Sequence, residues 1–551
     1  MRLHNKRWYR CCIGSVILCA LLIGALAACG GSPDGDADGV SLIVSMASTP
    51  ETLDPALSSA TDVGTYLTHL FEGLMRYSWD GSGVEYGQAA SHTVSDDGLV
   101  WTFTLRDDIK WSDGQAVVAE DFLYAWRRFV DPETAAPYAY DMGQYFKNGA
   151  AITDGRAAPE TLGVRAEGTR IVEITLEAPC PYFLEILAFP TLSPVRRDTI
   201  EEHGIRWVRT GETYLTNGPF RMESFKLDDR MVTVKNEHYW EVARVVPDKI
   251  SWLFLRDSVA RLGALRSGEV SYIASFPLEE REALDAAGMY ERGPMLGTYY
   301  VNFNNLKAPF DDPLVRKALT LAIDNAFIAD VLFQGSVIPA TAFVGDGFYT
   351  AGHDVAFRAE GGAYFDPYNY EQAKEEAQQA LAEAGYPNGE GFPHFEYLLN
   401  EDAGNALIAE AVQQMWKDVL NVSAELRTAE WSVVLVDRRG GHYEVGRAGW
   451  IADFNDPVTM LGLFVSSSAN NDTFYANPDF DALIAASAVE TDPAARSQLL
   501  HQAEDIMIGQ DWACAPLYYY TAERAADPAL KDFTLSLLGY TFFHRAYLSL
   551  D

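Results

Sequence analysis

The strongest constraint on this chain is that its one long apolar run precedes about 520 residues holding no second stretch apolar enough to span a membrane. The run extends from Ile13 to Ala28 and comes after Arg2, Lys6, Arg7 and Arg10, the layout of a secretory signal. About 520 residues exceed what one hydrophobic core can organise, so two or three domains are expected. With 48% hydrophobic and 12% aromatic residues, the chain has material for cores of that size.

The apolar run closes on Leu26-Ala27-Ala28-Cys29-Gly30. An uncleaved anchor helix would be short for a bilayer. Small residues before a cysteine, with a run of Gly, Ser, Pro and Asp after it, favour cleavage and a flexible tether. This resembles a bacterial lipobox, which implies a signal peptide at 1–28, acylation of Cys29 and a tether at 29–40. Acyl chains contribute about 0.8 kcal/mol per buried methylene, so several on one cysteine hold a protein at a membrane. The expected protein is lipid-anchored and extracytoplasmic, not integral. Cleavage leaves Cys180 and Cys514 as the possible members of one disulfide, and their pairing stays open.

Charge and motifs narrow the partners. The formal charge of −36 becomes −40 once the four amino-terminal cations are removed, which argues against nucleic-acid or anionic-membrane surfaces. None of the ten histidines lies near another in sequence and no Cys-x-x-Cys occurs, so no local metal motif exists. Gly-x-Ser-x-Gly, His-Glu-x-x-His and phosphate loops are missing, and Asp107-Asp108 and Asp311-Asp312 stand in turn or cap contexts. No cofactor, no metal and no enzymatic activity are expected.

Periodicity places strands at Ser41 to Ser45 and across Leu99, Trp101, Phe103 and Leu105, which alternate with Val100, Thr102 and Thr104. Trp111 to Gly114 is a turn. Helical spacing covers Glu120 to Phe129, stopped by Asp131-Pro132. Asp312-Pro313 is a cap followed by a first-turn proline. Further helices are expected over Glu371 to Ala384, ended by Gly385, and over Ala406 to Leu420, with Ala411, Met415 and Val419 on one face. Strands and helices mix without repeat, giving an α/β or α+β multi-lobed protein.

Between Arg447 and Pro457 the chain reads Arg-Ala-Gly-Trp-Ile-Ala-Asp-Phe-Asn-Asp-Pro, and Asp453 stands among aromatic and small residues. A carboxylate in such surroundings is costly unless something cationic neutralises it. Two readings are open. Asn455-Asp456-Pro457 is turn chemistry, which Asp453 would hydrogen-bond; alternatively, the acid awaits a ligand's ammonium group.

Thr52 to Pro55, Leu70 to Leu74, Asn217 to Phe220, Lys235 to Trp240, Arg266 to Glu269 and Asp312 to Leu319 occur in that order. With the Asp453 block they resemble landmarks of the family-5 extracellular solute-binding proteins, over nearly the whole mature chain. Trp126-Arg-Arg, Asp131-Pro132 and Ala136-Pro-Tyr138 resemble the oligopeptide-binding branch. The resemblance implies a two-lobed, periplasmic-binding-protein-like α/β (α+β) fold with a hinge and an extra domain on the first lobe. Mapped here, lobe I takes 40–72, 200–296 and 520–551, the extra domain 73–199, and lobe II 297–519.

It also implies function: a monomer that captures short peptides and hands them to the permease of an ABC importer. Asp453 would pair with the peptide's α-amine and Arg447 with its carboxylate, through a bidentate fork. Trp431, Trp450 and Tyr138 would line the cleft, with Gly449 beside them on the signature strand. Ordinary roles stand beside these: a surface ion pair for Arg447, core packing for the aromatics. For Arg438 and Arg439, solvated charge is the better expectation. Tyr299-Tyr300 and Tyr518 to Tyr520 resemble the segments that cross between lobes, where hinge, core and cleft roles are all open. Some relatives carry a cysteine pair where this chain has Gly297 and Ile451, so that disulfide is absent. Other cargo fits the same amine site: a dipeptide, a murein or signalling peptide, or a nickel chelate. A sensor or adhesin on this fold stays open, because fold is not function, and a hydrolase is the remaining alternative, against which the missing catalytic motifs argue.

Overall fold

The computed structural model describes residues 39–549 apart from 48, 59 and 82. The expected signal segment, Cys29 and nearly all of the tether lie outside the described residues.

Strand β1 (Ser41–Met46) opens the fold and helix α1 (Thr61–Leu70) comes next. β2 (Met75–Tyr77) and β3 (Val84–Tyr86) pair only with each other. A separate four-stranded sheet then forms from β4 (Ala89–Val94), β5 (Val100–Leu105), β6 (Val164–Glu167) and β7 (Ile171–Thr175), in the order β4-β5-β7-β6. β5 keeps its predicted alternation, burying Trp101, Phe103 and Leu105. Between β5 and β6 lies α2 (Ala119–Val130), whose Asp121 carboxylate accepts from the Val118 N–H at 2.9 Å. It ends at Asp131, because the residue before a proline disfavours helical backbone.

The main sheet has eleven strands, among them β8 (Phe220–Lys226), β9 (Arg230–Lys235), β10 (Lys249–Phe254) and β11 (Tyr272–Ile273). β12 (Tyr290–Phe303) is succeeded by α3 (Pro313–Leu321), the short β13 (Ile338–Pro339) and α4 (Tyr370–Glu383). Next come β14 (Phe395–Asn400), α5 (Ala403–Leu420), β15 (Ala424–Ala429), α6 (Trp431–Arg439) and β16 (Val445–Ile451). α7 (Pro493–Glu504) and β17 (Cys514–Ala526) complete the set that matters here. The sheet order is β15-β14-β16-β12-β17-β11-β1-β10-β9-β8, with β13 on β17.

β12 and β17 run antiparallel from Tyr290 opposite Ala525 to Asn302 opposite Cys514. Each is about 45 Å long at the usual strand rise, enough to belong to both halves of the sheet. The tyrosines left open above are mainly core here: Tyr299, Tyr300, Tyr518 and Tyr519 are buried, and Tyr299 stacks on Tyr518 with ring centroids 4.9 Å apart.

Helix starts obey the expected chemistry. Asp312 accepts from the Leu314 N–H at 2.8 Å, with Pro313 in the first turn of α3. Just past α4 stands Gly385 at φ +95°, a conformation that favours glycine. Ala411, Met415 and Val419 share one face of α5, beside a second face that is fully buried. α5 buries Ile408, Ala409, Val412, Trp416 and Leu420, whereas Ala411, Met415 and Val419 are half-buried along a groove facing α4. The bulkier stripe takes the core because it removes more apolar area from water.

The landmark segments meet in two buried polar clusters. Glu72 accepts from Arg76 Nη1 (2.9 Å), Trp240 Nε1 (2.7 Å) and Gln88 Nε2 (2.5 Å), while its backbone exchanges hydrogen bonds with the Asn217 amide. Asp54 accepts both arms of Arg128 at 2.9 and 2.6 Å, and Trp207 Nε1 at 3.1 Å. A buried acid is tolerated when its lone pairs are satisfied and a cation faces it; these segments supply both. Cys180 and Cys514 are each buried and unpaired.

Candidate functional site

Three acids near the end of β16 show what is unusual about one of them. Asp456 is fully buried and neutralised: Arg496 on α7 holds it at 2.6 and 2.9 Å, and the N–H groups of Ala351 and Val458 add bonds at 2.9 and 3.0 Å. Asp472, also buried, takes Arg438 at 2.6 Å. Asp453 is half-buried, and among the described residues no cation lies within ion-pair distance of it. Burial lifts its carboxyl to about 7, and the negative charge of Asp141 adds to the rise; donors on Tyr138, Trp450 and Thr459 pull the other way. An acid in this state lacks a positive partner. The turn after it is held instead by Asp456, which bonds the Val458 N–H.

Asp453 opens onto two cavities. One, of about 80 Å³, brings it together with Tyr138, Pro190 and Tyr540. The other, of about 350 Å³, is lined by Trp450, Asp141, Tyr145, Tyr182 and Asn470 besides Asp453 itself. Tyr138 and Trp450 are thus both gathered around the acid, although they come from distant parts of the chain. Trp450 Nε1 is buried beside the Asp453 carboxylate and forms no other hydrogen bond.

Register explains what the strand itself offers. β16 pairs with β12 along its whole length, from Val445 opposite Phe303 to Ile451 opposite Gly297. On the other side, β14 pairs only with Val445 and Gly446. From Arg447 to Ile451, about 13 Å of strand, the second edge has no strand partner among the described residues. An open edge of this length accepts an extended guest as an added strand, through backbone hydrogen bonds that ignore side-chain identity.

Arg447 stands at the start of that edge. Its guanidinium lies over the rings of Tyr299 and Trp431, at 5.3 and 5.4 Å, and its Nε reaches Asn405 Oδ1 at 3.3 Å. Among the described residues it has no carboxylate partner, so the surface ion pair considered for it is not formed. Trp431 caps it with a ring that is 42% exposed, placing this tryptophan outside any core. Gly449 has a packing reason: a Cβ there would stand 2.3 Å from the Tyr520 hydroxyl. Gly297 likewise leaves no room, with Trp450 O 2.5 Å from an added Cβ, and it faces Ile451 directly across the strands.

Two expectations need correction or extension. Arg438 is not solvated; it is buried against Asp472 and donates to the Arg447 carbonyl at 3.3 Å, while Arg439 is exposed. Asp141 was missed, although it lies three residues after Tyr138, and the resemblance that brings Tyr138 to the cleft brings its neighbours too. A cavity of about 810 Å³ between α4 and α5 lies away from all of these residues.

An open strand edge flanked by an unneutralised acid and an unpaired guanidinium, on a sheet whose halves share two long strands, has the features a solute-binding protein needs for an extended guest charged at both ends. Residues 83–472 match the family described as bacterial extracellular solute-binding proteins, family 5 Middle, and the chain belongs to that family. It is 33% identical to the oligopeptide-binding protein OppA of Bacillus subtilis, over 98% of this chain and 99% of that one. Among solved structures, the unliganded open form of the periplasmic murein tripeptide-binding protein MppA superposes with a TM-score of 0.79 at 31% identity, covering 93% of this chain and 98% of that one. Haemophilus influenzae OppA in complex with the peptide RPPGFSPFR gives 0.73 at 29%, covering 93% and 99%. The fold is accordingly the two-lobed one of periplasmic peptide-binding proteins. Among the described residues no helix is long and apolar enough to cross a membrane.

Proposed function

We propose that this protein captures short peptides outside the cytoplasm and delivers them to an ABC importer. Asp453 receives the peptide's α-ammonium, β16 takes its backbone as an added strand, and Arg447 receives a terminal carboxylate. Tyr138, Trp450 and Trp431 cover the bound chain. The observation that carries this reading is the carboxylate of Asp453, hydrogen-bonded but without a cationic partner, in a family whose named relatives bind peptides. Lobe I at 40–72, 200–296 and 520–551, lobe II at 297–519 and an extra domain at 73–199 fit the strand pairing, since the strands between 75 and 175 pair only among themselves. Ligand shifts an open–closed equilibrium by binding the closed form more tightly.

Calorimetry with a free tetrapeptide and its amino-acetylated twin tests the assignment. Acetylation should weaken binding by about 2–5 kcal/mol, the usual result of orphaning a buried charge. The pH profile comes from the same pair. Below about pH 7 a proton must leave Asp453 before the ion pair forms, so affinity should fall about tenfold per unit. Above about pH 8 the peptide's own ammonium is lost, so affinity should peak between these limits. Equal affinity for both peptides would reject the reading.

Anchoring is proposed through Cys29, with the protein acting as a monomer. Cys29→Ala should move the protein from the membrane fraction to the soluble extracytoplasmic fraction. Retention of that variant in membranes would show that acylation is not what holds it.

A further inference from the structure

The 350 Å³ cavity beside Asp453 contains a second carboxylate, Asp141, that the amine site does not require. Asp141 lies in the middle of the short helix Ala139–Gly143, is half-buried, and raises the charge cost of Asp453 through its own field. Its contact across the cavity is a long one, Asn470 Nδ2 to Asp141 Oδ1 at 3.4 Å. Among the described residues it forms no ion pair; the exposed Arg439 attracts it from beyond pairing distance, and burial still lifts its carboxyl above the ordinary range. The buried Asp456, Asp472 and Asp54 are each neutralised by an arginine, whereas half-buried Glu185, like Asp141, has no ion pair among the described residues. Two half-buried, unneutralised acids facing one cavity are unfavourable in the empty protein, and one α-ammonium relieves only one of them.

The rest of the cavity matches a long side chain with a cationic end. Tyr145, Tyr182 and Trp450 give flat apolar walls for a methylene stem. The volume lies within the range of ordinary ligand pockets. We propose that Asp141 forms the floor of a subsite for the first side chain and selects peptides whose amino-terminal residue is cationic, lysine or arginine. This rests on the amine assignment to Asp453.

The test compares four tetrapeptides by calorimetry: Lys-Ala-Ala-Ala, Arg-Ala-Ala-Ala, norleucine-Ala-Ala-Ala and Glu-Ala-Ala-Ala. Norleucine keeps the stem of lysine and removes its charge. The wild-type protein should bind the lysine and arginine peptides at least tenfold more tightly than the norleucine peptide, and the glutamate peptide least. Asp141→Asn should erase that preference, bringing the lysine, arginine and norleucine peptides to within about threefold of one another while all three still bind, a readout that a misfolded variant would not give. A wild-type protein indifferent to the first side chain, or an Asp141→Asn variant that keeps the preference, overturns the subsite and leaves the amine assignment standing. Failure of all four peptides to bind the wild type overturns both.

Discussion

Asp453→Asn is expected to lower peptide affinity by about 30-fold to a few thousand-fold, because the ligand's ammonium would then be buried against a neutral amide. The same substitution should stabilise the empty protein. Asp453 titrates at about 7 in the fold against an ordinary 3.8 in the unfolded chain. A raised carboxyl binds more protons folded than unfolded, so its effect on stability is absent below about pH 4. The destabilisation grows as pH rises and is complete above about 7. Removing the charge at pH 7.5 should therefore raise stability by about 1–2 kcal/mol, after allowance for its partial exposure. Thermal melts and calorimetry on one preparation give both numbers. A turn-holding aspartate would do the reverse, losing stability and keeping affinity, and that outcome would remove Asp453 from the site.

This opposition of stability and function separates a ligand-binding charge from a structural one. It also indicates what part of the site can be read from residues alone. The helix that starts at Asp312-Pro313 and the strand from Val100 to Leu105 were legible because capping and side-chain alternation act within a few residues. The cost of an acid at 453 was legible for the same reason: its neighbours in sequence are apolar. Its lack of a partner was not, since any arginine in 551 residues could have folded against it. Arg496 did so for Asp456, forty residues away, and Arg438 did so for Asp472, against the expectation of solvation. Asp141 joins Asp453 across more than three hundred residues, and nothing local encodes that meeting. The free edge of β16 is a property of where β14 stops pairing, which is set by tertiary register. Residue chemistry proposes charges in need of partners; only the fold reveals which of them are left for a guest.

The counterpart of Asp453 is three residues away, and the expected effect there has the opposite sign. Asp456→Ala should destabilise the protein by about 3–5 kcal/mol, because it strands the guanidinium of Arg496, only 1% of whose side chain is exposed. That arginine has one other polar tie, to the Ser487 carbonyl at 3.0 Å, and lies 5.2 Å over the ring of Tyr182, which in turn stacks on Phe454. Loss of the carboxylate thus loosens the link between Tyr182, in the segment before β8, and the α7 side of the sheet that carries β16. It also frees the N–H groups of Ala351 and Val458. The double substitution Asp456→Leu with Arg496→Met should recover much of the loss, since a buried pair replaced whole by apolar side chains is often neutral. If the single variant melts within a degree or two of the wild type, the pair is not what holds the Asp453 loop in place. The empty-state penalty assigned to Asp453 would then need another support.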